Sequence, residues 1–498
     1  MTYPKFVLRE RLRTPTGAFV AITLILGSLY AFMTPGLTGY DEGEHFLRAW
    51  QLSNGHITAI KGHDRSGTVA LGEMMPSDLR QKSLALFFDA SNIGKSAAAF
   101  HHMRDATPNQ QARSDQFEGF SSSAIYPPVP YIPAAVAIRV ARTIGLSVLA
   151  TVLLSRFASL LAFVAIVVLA IRRIPRHKWL MCMLAAAPVC TFQASMISAD
   201  GITIALALLV VACALRATSL QVGKLTNAHI VEAAVIVFAL GLAKPPYIMF
   251  AALFGPAIWK HRHHHGWRLG LSALPGIAAF LAWSAYAQSV FIPPIYVSVE
   301  GQYAYRGVDT SAQLAFLRTH PASLFAVIGR TIGRTWAHIL HDSVAQVANW
   351  PVPTLWATVI ALSTYAAIAI AAAASRREHR PERDAIVSPD AEIALVSNAT
   401  RFLMVVVALS SAIVVFLLAY TGWNQVAAPH IDAFQGRYLF LPIALLVFAF
   451  APNGAAVRRD DSADLSSPPV SAARVHLGLG CVVASSLAGF VAMLIHYY

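Results

Sequence analysis

Long apolar runs separated by short polar segments dominate this chain. Several runs reach the roughly 20 residues that a helix needs to cross a bilayer core, namely residues 17–35, 147–171, 269–290, 356–374, 402–420 and 475–496. Hydrophobic and polar positions do not alternate along these runs, as they would in the strands of a membrane barrel. The pattern therefore predicts an all-α polytopic membrane protein.

The composition agrees with this prediction. The chain has 498 residues, of which 56% are hydrophobic and 13% are charged, whereas a soluble protein carries about 25% charged residues. The formal net charge is +13, but the basic residues cluster in the connections between apolar runs. Membrane topology explains this distribution better than nucleic-acid binding does. The four cysteines lie in apolar segments and predict no disulfide framework.

The basic clusters orient the predicted spans. By the positive-inside rule, clusters such as Arg172 and Arg173, or Arg458 and Arg459, lie in the cytoplasm. About eleven spans then follow, within a range of ten to thirteen, with the N-terminus inside and the active face outward. They are residues 17–35, 147–171, 180–197, 201–217, 228–243, 246–259, 269–290, 353–374, 402–420, 438–452 and 475–496. We expect a multi-pass protein of the cytoplasmic membrane.

The same topology divides the chain into segments. Residues 1–16 form a cytoplasmic N-terminus, 17–452 a transmembrane domain, 453–474 a cytoplasmic linker and 475–498 the last span. The domain contains two large outer loops, residues 36–128 and 291–351. A re-entrant or surface-lying helix is predicted at 129–145. A surface-lying helix is predicted around 321–336, where an apolar stripe runs beside Arg330 and Arg334.

Five polar motifs fall at the predicted outer ends of spans. The first, D-E-x-x-H-x-x-R, follows the first span, and the others are Y-P-P-V-P-Y, S-A-D, K-P-P-Y and Q-G-R-Y. Short outer loops normally avoid Lys and Arg, so a shared binding site would explain the basic residues there. The candidate site residues are Asp41, Glu42, His45, Arg48, Tyr126, Asp200, Lys244, Tyr247, Gln435, Arg437 and Tyr438. Arg156 joins them, because a charge inside a span needs a partner or a water-filled cavity.

Each motif also has a purely structural interpretation. Asp41 with Glu44 fits a capping box, and Asp200 could cap the following span. Lys244 could extend to the lipid head groups, and Arg437 could bind lipid phosphate without specificity. The prolines could simply end helices. The stretch H-R-H-H-H-G-W-R, residues 261–268, is interpreted as a solvated basic turn, since its spacing does not suit metal ligands.

The placement of the five motifs suggests a group-transfer site fed from the membrane. Outside the cytoplasm no nucleotide-activated donor is present, whereas polyprenyl-phosphate-linked sugars are. Lys and Arg can stabilise the phosphate charge that develops when such a donor is cleaved. A carboxylate within hydrogen-bond reach can act as base for an acceptor hydroxyl.

The ordered motifs resemble those of a bacterial family of polytopic membrane proteins of unknown function. That family is similar to the GT-C superfamily of lipid-linked-sugar glycosyltransferases, and the resemblance covers residues 15–450. It implies a GT-C-like fold with a surface-lying helix in the first outer loop, which residues 77–102 could supply. It also implies an acidic residue in that loop that acts as base, here Asp41 with Glu42 as second candidate. The same pair could hold a divalent metal, the one cofactor that the resemblance leaves open. It also implies that Lys244, Arg437 and Arg156 bind the donor phosphate.

The sequence therefore favours a membrane glycosyltransferase. Its partners would be a polyprenyl-phosphate-linked sugar donor, a glycan, lipid or protein acceptor, and membrane lipids, but no nucleic acid. Two alternatives stay open. A transporter or flippase of lipid-linked glycans would carry ionisable residues near the middle of its spans, and a noncatalytic relative would only bind the glycan lipid.

Overall fold

Helices make up most of the described chain, which in this computed structural model comprises residues 14–64, 67–76, 79, 115–292, 308–347, 354–374, 396–432, 434–452 and 472–497. The helices of the first half are α1 Pro15–Met33, α2 Glu42–Ser53, α3 Ser121–Ala124, α4 Ile132–Thr143, α5 Val148–Arg173, α6 Lys178–Ala185, α7 Pro188–Ala194, α8 Asp200–Ser219 and α9 Asn227–Gly241. Those of the second half are α10 Gly255–Lys260, α11 Gly266–Leu271, α12 Leu274–Val290, α13 Thr310–Thr319, α14 Ala322–Ala345, α15 Thr354–Ala374, α16 Asn398–Trp423, α17 Phe440–Phe450 and α18 Ala472–Tyr497. Short 3₁₀ helices cover Val129–Tyr131, Pro245–Phe254 and Gly436–Leu439.

Seven helical segments of the described chain are long and apolar enough to cross a membrane. They are α1, α5, α8, α11 with α12, α15, α16 and α18. The predicted number of eleven spans is therefore not confirmed. The predicted span 180–197 is broken at Pro188 into α6 and α7, and 246–259 begins as the 3₁₀ helix Pro245–Phe254. The segments Asn227–Gly241 and Gly436–Phe450 are apolar but shorter.

Helix α8 is the central element of the bundle. It packs along α5, and almost all of its residues are buried. Elsewhere two glycines bring α9 and α12 into close contact, since a Cβ added at Gly241 would lie 2.3 Å from the Gly276 carbonyl oxygen. Close backbone approach at small residues is typical of helix packing in membranes.

The first predicted outer loop contains a three-stranded antiparallel sheet, which the all-α prediction missed. Its strands are β1 Ile60–His63, β2 Val69–Pro76 and β3 Asp115–Gly119. Ile60 lies opposite Gly72, and Gly72 opposite Gly119. The sequence signal was weak because these strands are short and interrupted by glycines.

Two of the predicted surface helices are helical in the structure. Helix α4 lies within 129–145, and α14 covers the predicted 321–336 and continues to Ala345, with a kink at Thr335. Phe325, Ile332 and Trp336 of α14 are exposed. Contact of this face with lipid stays a prediction. The predicted helix 77–102 lies outside the described residues except for Leu79, and the predicted linker 453–474 does so except for its last residues.

Candidate functional site

Asp200, Lys244 and Arg437 meet at one end of the helical bundle. Asp200 is the first residue of α8, Lys244 precedes the 3₁₀ helix Pro245–Phe254, and Arg437 lies in the 3₁₀ helix Gly436–Leu439. The Lys244 ammonium donates a hydrogen bond to Oδ1 of Asp200. Nε of Arg437 lies 3.3 Å from Oδ2 of the same carboxylate. Three motifs that are far apart in the sequence thus form one ion-paired group.

Tyrosine rings surround the two cations. The Lys244 nitrogen lies 5.3 Å from the ring centre of Tyr126 and 4.6 Å from that of Tyr438. The Arg437 guanidinium lies 4.0 Å from the ring centre of Tyr40 and 5.1 Å from that of Tyr438. These are cation–π distances. We call the six residues Asp200, Lys244, Arg437, Tyr40, Tyr126 and Tyr438 the Asp200 cluster.

The cluster holds its charges away from solvent. Lys244 is 7% exposed and Arg437 is 6% exposed. Burial alone would lower the pKa of Lys244, but the Asp200 carboxylate raises it above its ordinary value, with help from the neighbouring tyrosines. Lys244 is therefore charged at neutral pH. Both cations are buried among other side chains of the bundle, which disfavours the interpretation that Lys244 extends from the surface to lipid head groups.

Arg437 retains unused hydrogen-bonding capacity. Its Nη2 lies 3.3 Å from the Tyr438 hydroxyl, whereas the buried Nη1 has no hydrogen-bond partner among the described residues. The neighbouring Gln435 likewise has a buried Oε1 without a partner in this part of the chain. A buried guanidinium nitrogen without an acceptor is costly, so this position favours an anionic or carbonyl oxygen.

Asp41 lies at the exposed rim of the cluster. It precedes α2 in a left-handed conformation, with φ of 51°, and its side chain makes no capping hydrogen bond. The capping-box interpretation of Asp41 is therefore wrong. The preceding residue, Tyr40, stacks on Arg437, so the backbone brings Asp41 next to the cluster.

His45 follows Asp41 by one helical turn and is buried. Its Nδ1 is 2.7 Å from the Tyr131 hydroxyl. Burial lowers the pKa of His45 to about 4, against the opposing charge of Asp41. The imidazole is therefore neutral at pH 7. Burial also raises the pKa of Tyr131, so its hydroxyl stays protonated.

Arg48 positions Tyr126 from behind. Its Nη2 donates to the Tyr126 carbonyl at 3.0 Å, and its Nη1 donates to Gln51. Gln51 in turn donates to Glu73 on β2 at 3.2 Å. Burial lowers the pKa of Arg48 to about 10. Arg48 thus fixes the backbone of Tyr126, whose ring contacts Lys244, and is itself fully buried.

Glu42 and Arg156 are paired with each other. Nε of Arg156 donates to Oε1 of Glu42 at 2.7 Å, and Nη2 donates to Oε2 at 2.5 Å. Both side chains have no exposed surface. Glu42 also accepts from the backbone N–H groups of Gly39 and Ile197, each at 3.0 Å. Glu42, predicted as second candidate for the base, and Arg156, predicted to bind the donor phosphate, are thus engaged with each other in the structure.

The Asp41–Glu42 pair does not suit a divalent cation. The carboxylate oxygens of Glu42 are occupied by Arg156 and two backbone N–H groups. Within the described part of the chain, no group of three or more His, Cys, Asp or Glu residues could hold a metal ion.

The remaining predicted residues support the cluster. The Tyr247 hydroxyl donates to the Tyr438 carbonyl at 2.8 Å. Gly436 precedes Arg437 at a tight contact, because a Cβ added there would lie 2.5 Å from the Ile339 carbonyl oxygen of α14. These contacts fix the backbone on both sides of Arg437.

Some residues near the cluster were not predicted. Tyr40 precedes Asp41 and stacks on Arg437. Burial raises the pKa of Tyr40, with Asp342 and Gln346 of α14 also acting on it. For Asp342 and Gln346, the only signal in the sequence was their separation by four positions, which places both on one helix face.

Comparison with known proteins identifies one family. The family model described as predicted membrane protein (DUF2142) matches residues 24–447. No curated protein and no solved structure matches the chain.

Proposed function

We propose that this chain, which belongs to the DUF2142 family of predicted membrane proteins, is a GT-C-like membrane glycosyltransferase. It would transfer a sugar from a polyprenyl-phosphate-linked donor to a cell-envelope acceptor on the outer face of the cytoplasmic membrane. The observation that carries the proposal is the buried Nη1 of Arg437, which has no partner among the described residues and lies in a group of two cations and one carboxylate.

The Asp200 cluster suits a phosphate ester. Lys244 and Arg437 together exceed the charge of Asp200 by one, and the tyrosine rings limit access of water to both cations. A phosphate oxygen would satisfy Nη1 of Arg437 and balance the charge. Because preorganised donors act most strongly where water is excluded, this arrangement would stabilise the phosphate that leaves during transfer.

Asp41 is the carboxylate best placed to act as base. Asp200 is engaged by Lys244 and Arg437, and Glu42 by Arg156, whereas Asp41 makes no capping hydrogen bond and is exposed. The acceptor hydroxyl would attack the anomeric carbon and pass its proton to Asp41. The bond between that carbon and the phosphate oxygen would break, and the polyprenyl phosphate would leave with the electron pair. A single displacement of this kind inverts the anomeric centre.

The arrangement of Arg156 favours this function over transport. The sequence placed Arg156 inside a span, where a transporter would use a charge. Its full pairing with buried Glu42 leaves it without the exposed surface that a moving ion or substrate needs. The noncatalytic alternative shares the phosphate site and differs only in not requiring Asp41.

The proposal is tested with three variants in a strain that lacks the native gene. We expect Asp41→Asn to abolish the envelope-glycan change that wild type restores, while binding of a polyprenyl monophosphate to the purified protein is retained. Lys244→Gln should weaken that binding about tenfold or more, because a charge-assisted hydrogen bond is lost.

Glu44→Gln is the matched control on the same helix, since Glu44 accepts from Ser122 at 3.2 Å, and it should behave as wild type. A normal glycan profile with Asp41→Asn would exclude the catalytic role and leave the binding protein. Unchanged polyprenyl-phosphate binding by Lys244→Gln would exclude the phosphate site itself.

A further inference from the structure

A cavity lies at the end of α8 that is opposite to the Asp200 cluster. Thr218 and Ser219, at the end of this helix, line it, and its volume is about 490 Å³. With 20 residues and a rise of about 1.5 Å per residue, α8 separates the cavity from Asp200 by roughly 30 Å. The basic clusters of the sequence assign this end to the cytoplasm.

Basic side chains line the cavity. Arg176 and Lys260 are among its lining residues, and none of the described lining residues is acidic. The Lys260 ammonium donates to the Thr218 carbonyl at 3.0 Å. By contrast, Arg173 and Arg216 near the same end share one acidic partner, Glu232. The cavity therefore has a positive potential.

His177 is the polar group of the cavity that most needs a ligand. Its side chain is 2% exposed, and neither Nδ1 nor Nε2 has a hydrogen-bond partner among the described residues. Its backbone has a left-handed φ of 63°, which is uncommon for a residue other than glycine. Burying an imidazole without partners is unfavourable, so a ligand oxygen at its N–H would stabilise this arrangement.

The start of α16 adds to the positive potential. Ser397 caps this helix of 26 residues, and both Ser397 and Thr400 line the cavity. The N-terminus of a helix carries a partial positive charge and favours phosphate.

The cavity also has apolar lining residues. Leu215, Trp259 and Leu403 line it, and Trp259 is largely exposed. Trp side chains are enriched where a membrane meets water. A ligand that suits both the cationic and the apolar lining residues combines an anionic head with an apolar chain.

We infer that this cavity binds the phosphate head group of an anionic amphiphile, with the phosphate held by His177 and Lys260 and the chain lying along Leu215, Trp259 and Leu403. A phospholipid and a free phosphate ester share this chemistry. Basic pockets between helices at the cytoplasmic side are known to accept anionic lipid head groups.

The test uses the full-length protein in phosphatidylcholine nanodiscs that contain a trace of photoreactive phosphatidylglycerol. We expect cross-links to peptides that contain Trp259 or Leu403, and competition by excess unlabelled phosphatidylglycerol. Lys260→Gln should lower this labelling about tenfold. Leu403→Trp should lower it without changing any charge, because the larger ring fills the cavity.

Arg268→Gln is the control, since Arg268 stacks on Trp267 and is not among the cavity residues; its labelling should equal that of wild type. Competition by phosphatidylglycerol but not by millimolar inorganic phosphate identifies a lipid as ligand, and competition by both identifies free phosphate or its esters. Equal labelling by a photoreactive phosphatidylcholine, or normal labelling of both cavity variants when each elutes as a folded species, would overturn the inference. Glycan transfer enters none of these measurements, so the result is separate from that of the proposed function.

Discussion

At the scale of single residues, neighbouring acidic side chains have very different environments. Asp41 is exposed at the rim of the Asp200 cluster, whereas Glu42, the next residue, is fully buried against Arg156. Removing one partner of a buried ion pair lowers the free energy of unfolding by several kcal/mol. Glu42→Gln would therefore destabilise the fold whether or not Glu42 takes part in catalysis. Asp41 is therefore the residue whose substitution tests the chemistry.

The neutral state of His45 predicts a pH dependence of stability. Burial lowers the pKa of His45 to about 4 from 6.5, so the unfolded chain binds the proton more readily than the folded protein does. The stability from this group is present above pH 6.5 and is lost as the pH falls towards 4, in total on the order of 3 kcal/mol.

Thermal unfolding in detergent at several pH values measures this effect. His45→Gln should remove the part of the pH dependence between 6.5 and 4 that belongs to His45. An identical slope in wild type and variant would contradict the neutral buried imidazole.

At the scale of elements, short non-α segments carry the cluster, while the long helices hold these segments in place. Lys244 directly precedes the 3₁₀ helix that begins at Pro245, and Arg437 lies in the 3₁₀ helix that begins at Gly436. The prolines, interpreted from sequence as helix breaks, do interrupt the α-helix at that point. The backbone around Arg437 is further restrained by α14, which approaches closely at Gly436.

This close approach predicts the effect of a methyl group. Gly436→Ala would bring Cβ to 2.5 Å from the Ile339 carbonyl oxygen, so the 3₁₀ helix must shift and carry Arg437 with it. We expect a loss of about 1–3 kcal/mol in stability and weaker binding of polyprenyl monophosphate.

Gly333→Ala in α14 is the matched control, because a Cβ there meets nothing within 4 Å. It should be neutral, or slightly stabilising through its helix propensity. If both variants have the free energy of unfolding and the affinity for polyprenyl monophosphate of wild type, the contact at Gly436 does not position Arg437.

At the scale of the whole molecule, the two polar sites lie at opposite ends of α8. The Asp200 cluster begins this helix, and the cavity with His177 lies at its last residues. If α8 spans the membrane, one site faces each side. The excess of basic residues near the cavity predicts that this end lies in the cytoplasm.

Cysteine labelling in intact cells tests this orientation. In a Cys481→Ser background, His56→Cys should react with a membrane-impermeant maleimide from outside, because His56 follows α2 at the Asp200 end. His263→Cys, between α10 and α11, should react only after the cells are opened. Labelling of both from the same side would contradict opposite placement of the two ends.

The sequence alone predicted the helical membrane class, the position of most helices and the five motifs, because apolar length and charge distribution are properties of local segments. The family match over residues 24–447 and the seven long helices agree with that class. The span count was less predictable, since α6, α7 and the 3₁₀ segments are apolar but interrupted. The pairing of β3 with β2 was missed because it joins residues that are distant in the chain, and the neighbouring strands β1 and β2 were missed because they are short and interrupted by glycines.

Only the tertiary structure decided how the polar residues pair. Asp200, Lys244 and Arg437 are candidates of equal weight in the sequence, and so are Asp41 and Glu42. In the folded chain Asp200 joins the two cations, Glu42 is taken by Arg156, and Asp41 is left exposed beside them. The physical reason is that a buried charge must find its partner through space, whereas an apolar run becomes a membrane helix from its own residues alone.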